Sequence, residues 1–420
     1  MAEPIDITVT VRNSTPPQVD IKSRAGAEGS GSVHLNGVHR EMVEILERWL
    51  GTRALRHKDE FRVLGTALYE ALFNGEVRSV FEDQLRKLDG SRQLSLHLVF
   101  GEGTHEIARH PWEFMYCPEP GGGFLASLTN LTVSRGMTSA GDRPSLLRAP
   151  GPLRVLVIAA HPSDVTDEPE AYAGVVGALH DEPGIEVVAE FAGAGATTAR
   201  INDKLATLVQ GCPGDLCPAD VVHYIGYARE IEREQALALN RADGTAEWVG
   251  PDDFWIRVRG ARPRLVFLSL CDPHPSPRAA DPDGERRRLE EREPDVVALA
   301  SMLVQGRAAA VVVMRYPLLP APAARFTAAF YRELAAARTI AEAMQEARFQ
   351  MLLGTSEHGW SGIGSPVIYM QSVDGPLVTK RPAAAPGVSQ SPGRGAARDA
   401  GEREAGGQPP PSPWEGFGST

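Results

Sequence analysis

Cysteine is scarce in this chain: four residues in 420, at positions 117, 212, 217 and 271. So sparse a set excludes a disulfide framework, and reduced thiols in a cytoplasm are the expectation. Cys212 and Cys217 lack a second pair or a histidine cluster, so no zinc or other metal site is expected there. Long apolar runs are missing too. None approaches the ~18 residues that a membrane span needs, and no membrane partner is expected. The opening residues, Met1-Ala2-Glu3-Pro4-Ile5-Asp6, show neither a basic start nor an apolar segment, so no secretory signal is expected. A basic excess is also absent. The net charge is -11, which argues against a nucleic-acid surface. The segment Gly193–Thr198 lacks the Gly-Lys-Ser/Thr ending of a phosphate loop, and a turn into a helix explains it. No internal repeat and no cofactor motif is visible. What remains is the composition of an ordinary soluble protein, 42% hydrophobic and 23% charged.

The first 140 residues read as an α+β region. Residues 5–12 alternate apolar and polar, the period of a half-buried strand. A Gly/Ser-rich loop is expected at Gly26–Ser32. Three helices follow, marked by Met42, Ile45, Leu46 and Trp49, by Phe61, Leu64, Leu68, Leu72 and Phe73, and by Val80, Phe81, Leu85 and Leu88 at helical spacing. Leu94–Phe100 reads as a strand, as do Phe124–Leu128 and Leu131–Ser134. Between them, Trp112 in Pro111-Trp112-Glu113-Phe114 reads as a core aromatic. Gly141–Gly151 reads as a linker.

From Leu153 strands and helices alternate, which predicts βαβ units and a mostly parallel sheet. The strands are expected at Arg154–Ala160, Ile185–Phe191, Val221–Ile225, Leu265–Leu270, Ala309–Met314 and Val367–Met370. Helices are expected at Glu170–His180, Thr198–Val209, Val296–Gln305, Ala323–Ala336 and Ile340–Leu353, long enough to serve as crossovers. A small hairpin is expected from Leu237-Ala238-Leu239 and Trp248-Val249. The charged, Pro-rich stretch Pro275–Glu293 reads as a surface loop. Residues 380–420 are too poor in apolar side chains to offset the entropy of ordering and read as a disordered tail. The organisation expected is therefore 1–140, 153–375 and 380–420.

In an open α/β sheet, chemistry gathers beyond the carboxyl ends of the strands. Cys271 closes the Leu265–Leu270 strand, and Gly226-Tyr227 close the Val221–Ile225 strand. Cysteine-dependent hydrolysis needs a thiolate, an imidazole base within reach and backbone N–H groups for the oxyanion. Cys271 is placed as such a nucleophile would be, although a lone thiol at a strand end also reads as a small packed hydrophobe.

The order and spacing of several segments resemble the CHAT-domain family, a bacterial caspase-like group related to caspases and separase. The segments are Pro111-Trp112-Glu113-Phe114-Met115-Tyr116, Leu153–Ala160, Val222-His223-Tyr224-Ile225-Gly226, Leu265–Cys271, Leu299–Gly306, Val311–Pro317, Arg325-Phe326 with Phe330-Tyr331, Ala347-Arg348 and Pro366–Met370. The resemblance runs from about Ala71 to Gly375. It implies a three-layer α/β/α sandwich with a Cys–His dyad at two neighbouring strand ends, and a protein or peptide as partner or substrate. It also implies a setting in bacterial defence, cell death or signalling.

The resemblance puts the nucleophile at Cys271 and the dyad histidine directly after Gly226, where this chain has Tyr227. A phenol with an ordinary pKa near 10 is almost wholly protonated at neutral pH, whereas an imidazole near 6.5 can accept a thiol proton. His223 lies about 13 Å back along an extended strand and reads as structural. His161, at the end of the Arg154–Ala160 strand, is the alternative base. His274 follows Cys271 too closely to serve, and His110 reads as structural. Three readings stay open: a pseudo-protease kept for interaction or signalling, an active cysteine endopeptidase whose base comes from elsewhere or from a partner, and a purely structural α/β protein, which gives no reason for an exposed Cys271.

Overall fold

Period-two patterning organises the start of the chain. In the computed structural model, β1 (Ile5–Arg12) buries Ile7, Val9 and Val11 on one face and leaves Asp6, Thr8 and Thr10 on the other. The structure describes residues 4–51, 54–88, 92–119, 122–136, 151–165, 172–211, 218–231, 234–271, 295–305, 308–316, 318, 320–353, 360–370 and 375–379. The expected linker up to residue 150, the Pro275–Glu293 loop, His274, Cys212, Cys217 and the 380–420 tail lie outside them.

β1 pairs antiparallel with β2 (Gln18–Ser23), and β2 with β3 (Glu28–Ser32). The Gly/Ser-rich stretch expected to be a loop is thus largely an edge strand. Small residues suit it, because helix α3 (Gly75–Arg86) passes over it and a Cβ at Gly29 or Gly31 would meet Glu76 or Asn74 at 3.1–3.2 Å. α3 also blunts this edge: the Ser30 N–H donates to the Glu76 carboxylate at 3.4 Å, and Asn74 Nδ2 donates to Ser32 O at 2.9 Å. Helix α2 (Lys58–Leu72) forms with the expected apolar face, whereas helix α1 (Gly37–Gly51) buries Val43, Leu46 and Leu50 and leaves Ile45 and Trp49, expected on its apolar face, exposed. β4 (Leu94–Phe100) lies parallel to β1. A short helix α4 (His105–Ala108) and a 3-10 turn over Trp112–Phe114 follow. Trp112 is fully buried in the core shared by β1, β4 and α2.

Phe124–Leu128 is not a strand. A two-residue pair, β5 (Tyr116–Cys117) with β6 (Gly123–Phe124), gives way to a 3-10 turn at Leu125–Ser127, because Leu125 N–H and Ser127 Oγ bond locally to Met115 O and Phe124 O. β7 (Leu131–Gly136) then lies parallel to β4.

The second half alternates as expected: β8 (Leu153–Ala159), α5 (Ala173–His180), β9 (Ile185–Ala192), α6 (Thr198–Gly211) and β10 (Val221–Gly226). The expected hairpin is a three-stranded sheet, β11 (Ala228–Ile231), β12 (Glu234–Asn240) and β13 (Ala246–Val249). An unexpected helix α7 (Pro251–Val258) comes next. Its signals were local: Pro251 at the first position, Asp252 and Asp253 in the first turn, and Phe254 and Val258 on the buried face. β14 (Leu265–Leu270), α8 (Val296–Gln305), β15 (Ala310–Met314), α9 (Pro320–Ala335), α10 (Ile340–Leu353) and β16 (Pro366–Met370) complete the chain.

Among the described residues, eleven strands form one sheet in the order β3-β2-β1-β4-β7-β16-β15-β14-β10-β8-β9. β15, β14, β10, β8 and β9 run parallel to one another, as do β1, β4, β7 and β16. β16 pairs antiparallel with β15, so the two blocks run in opposite directions and the carboxyl ends of their strands lie at opposite edges. One apolar layer packs α6, α7 and α8 on one face, and another packs α5, α9 and α10 on the other. Among the described residues no helix is long and apolar enough to cross a membrane.

Candidate active site

Three adjacent parallel strands end at the same edge. Register pairs Ile225 of β10 with Ala159 of β8 and Gly226 with Leu270 of β14. Beyond those ends stand His161, Tyr227 and Cys271. The strands are almost wholly buried and rich in Val, Ile and Leu, as strands covered on both faces are. The ladder continues past β14, because the Cys271 N–H donates to Gly226 O at 2.7 Å. Cys271 is half-buried, packed at the border of the layer formed by α5, α9 and α10.

Tyr227 is buried, and its backbone is held by a neighbouring phenol. The Tyr227 N–H donates to the Tyr224 hydroxyl at 3.1 Å, and that hydroxyl lies 2.9 Å from Tyr227 O and 2.7 Å from Ala238 O, its possible acceptors. Burial pushes the Tyr224 phenol far above its ordinary pKa, with a further upward push from the nearby Cys271 sulfur. Tyr224 is therefore a neutral hydrogen-bonding post that joins the end of β10 to hairpin strand β12. Its role was invisible in the sequence, where it reads as one more core aromatic.

The structure brings His161 and Tyr227 together. His161 is buried, its ring stacked on Tyr172 at 4.6 Å and edge-on to Tyr227 at 5.7 Å. Nδ1 lies 3.4 Å from the Tyr227 hydroxyl, and Nε2 has no hydrogen-bond partner among the described residues. Loss of water lowers its pKa to about 4, so the ring is neutral at pH 7. Its backbone N–H donates to Asn240 Oδ1 at 3.1 Å, which anchors the turn after β8 to the end of β12.

His223 sits inside the sheet. It is fully buried, stacked on Phe267 at 4.3 Å, with Nε2 2.9 Å from Ser269 Oγ, and burial lowers its pKa to about 3. His110 is likewise committed, with Nδ1 2.6 Å from the Glu47 carboxylate.

A second polar cluster, hidden from sequence reasoning, sits where β7 meets β16. Arg135 and Glu113 are each about 1% exposed and form a forked pair at 2.8 and 2.6 Å. Arg135 also donates to Ala108 O at 2.5 Å and His110 O at 3.0 Å. Burial opposes ionisation of Glu113, but Arg135 outweighs it and holds the carboxyl below its usual range. Arg348, equally buried, donates to Pro366 O, and desolvation lowers its pKa to about 10. Among the described residues no group of three His, Cys, Asp or Glu side chains converges as a metal site would.

The profile of the CHAT domain family matches residues 62–392. No curated protein matches the sequence. Among solved structures, the Saccharomyces cerevisiae separase–securin complex is similar at 10% identity and a TM-score of 0.43, covering 87% of this chain and 30% of that one. Gingipain R, an Arg-specific cysteine proteinase, is similar at 12% identity and a TM-score of 0.40, covering 81% and 76%. A complex of the pro- and mature domains of RgpB from Porphyromonas gingivalis matches at 11% identity and a TM-score of 0.41, covering 79% and 76%. This chain thus spans less than a third of the separase chain.

Proposed function

The chain belongs to the CHAT-domain family, and we propose that it is a catalytically impaired member that acts by binding a protein or peptide partner, in interaction or signalling. The observation that carries this reading is the occupation of the catalytic edge. Tyr227 stands where the resemblance puts the base, and the N–H groups of Tyr227 and Cys271 already have acceptors in Tyr224 and Gly226. An oxyanion needs donors aimed at it and not spent elsewhere. Losing the general base by itself forfeits roughly 10²–10⁴-fold in rate.

A second reading, an active cysteine endopeptidase, draws support from the 3.4 Å approach of His161 Nδ1 to the Tyr227 hydroxyl. In it His161 takes the Cys271 thiol proton, directly or through that hydroxyl, and the thiolate attacks a peptide carbonyl. An imidazole with a pKa near 4 is a weak base for this step.

The deciding experiment compares wild type, Cys271→Ala and Tyr227→His against a cysteine-directed activity probe and candidate protein substrates. The impaired reading expects no labelling or cleavage by wild type, and activity appearing in Tyr227→His. Cleavage by wild type that vanishes in Cys271→Ala overturns it, and loss of that cleavage in His161→Gln selects the second reading.

A further inference from the structure

Helix α1 carries more apolar surface than the fold covers. Val43, Leu46 and Leu50 seat it on the core of the first half. A second apolar stripe, Val38, Met42, Ile45 and Trp49, runs along the same helix beside them. Val38 is 81% exposed, Ile45 45% and Trp49 48%, and Met42 is half-buried. Among the described residues seven large apolar side chains are exposed, and three of them belong to this stripe. Single apolar residues scattered over a surface are ordinary, whereas several aligned on one helix mark a contact surface. α1 also precedes the residues that the CHAT profile matches, so the catalytic edge gives no reason for it.

The stripe is self-complementary. Its residues are spaced four, three and four apart, the seam along which two helices pack at a shallow angle. That spacing reads the same in both directions. A two-fold axis between Val43 and Glu44 of an antiparallel pair sets Val38 against Trp49 of the second copy, and Met42 against Ile45. The smallest side chain of the stripe then faces the largest. Glu41 and Arg48, both exposed and seven residues apart, lie along one flank of the stripe. The same axis brings each of them beside the opposite charge of the second copy. An isologous contact needs this symmetry, and an unrelated partner does not. The other charges of α1 are engaged elsewhere, Arg40 with Glu44 at 2.7 Å and Glu47 with His110 at 2.6 Å. With Glu41, Glu44 and Glu47 against Arg40 and Arg48, the helix lacks the basic excess that lies down on anionic lipid.

We propose that α1 is a self-association surface, on which two copies of this chain pair antiparallel through Val38, Met42, Ile45 and Trp49, with Glu41 of each copy beside Arg48 of the other. The helix has 15 residues and is about 22 Å long at 1.5 Å per residue. The contact is therefore small, and the dimer is a reversible one. It depends neither on Cys271 nor on the function proposed above.

The test is sedimentation velocity of the full chain under reducing conditions, over a series from roughly 1 to 100 μM, the range of a small interface. Wild type is expected to pass from monomer to dimer across the series, and Cys271→Ala to do the same. Ile45→Glu places a carboxylate in the seam and is expected to weaken dimerisation at least about tenfold, since an unpaired charge is buried. Because Ile45 is exposed in the monomer, circular dichroism and Tm of that variant should match wild type. Glu41→Arg and Arg48→Glu are each expected to weaken the dimer, and the two together to restore it, because the charges they exchange sit on different copies. A wild type that stays monomeric throughout the series overturns the proposal, and co-sedimentation of that monomer with phosphatidylserine vesicles would assign the stripe to a membrane instead. Undiminished association of Ile45→Glu, or a double charge reversal no better than the single ones, overturns it as well.

Discussion

The hydroxyl oxygen of Tyr224 lies 2.5 Å from the point that a Cβ on Gly226 would occupy, with its ring carbon at 2.8 Å and Ala160 O at 3.0 Å. Glycine at 226 is therefore a requirement of packing, since it lets the phenol fold back and hold the Tyr227 backbone. Gly226→Ala is expected to destabilise the fold by about 1–3 kcal/mol, as overpacking does. Adding Tyr224→Phe removes the nearest atom, so the double variant should lose less than the sum of the two single variants in urea unfolding.

The two buried histidines make stability acid-sensitive. Both have folded pKa values below the ordinary 6.5, about 4 for His161 and about 3 for His223. The unfolded chain therefore binds protons that the folded chain refuses, and stability is full above pH 6.5 and falls as pH drops toward 4 and 3. Each group contributes at most roughly 1.4 kcal/mol per pH unit across its window. His223→Phe should flatten the Tm profile between pH 6 and 4, and an unchanged slope would show that His223 is not buried as a neutral ring.

Glu113→Gln leaves Arg135 buried without its counter-charge. The expected cost is about 3–5 kcal/mol, typical of breaking a buried pair from one side. Denaturant midpoints measure it. Pairing it with Arg135→Met, which removes the stranded cation, should recover part of the loss.

Asn240→Ala removes the acceptor for the His161 N–H. A loss of about 1 kcal/mol is expected from that hydrogen bond. Amide exchange at His161 should quicken while exchange inside β8 stays slow, because the strand ladder does not depend on Asn240. Uniform acceleration across β8 would point to a general loss of stability instead.

Much of the fold was legible because burial writes itself into local patterns. The runs at Val221–Gly226 and Leu265–Leu270 are apolar except for His223 and Ser269, which pair with each other, as both-face coverage demands, and their abrupt ends placed Tyr227 and Cys271 at one edge. Helices such as Val296–Gln305 and Ile340–Leu353 followed from length and spacing. Glu28–Ser32 was misread because glycine and serine carry no strand preference of their own; its β-structure comes from pairing with β2 under α3.

The sequence by itself determined the α/β class and the strand ends at which Tyr227 and Cys271 stand. Only the tertiary structure decided which distant residues meet: His161 against Tyr227 across 66 positions, Arg135 against Glu113 across 22, and the reversal of β16 against β15 that separates two carboxyl edges. Strand and helix patterns are short-range, set by which face of one element meets water. Contacts between elements depend on register and strand order, which no single segment encodes, so a phenol that anchors a neighbour and a phenol that fills a core look alike until the chain is folded.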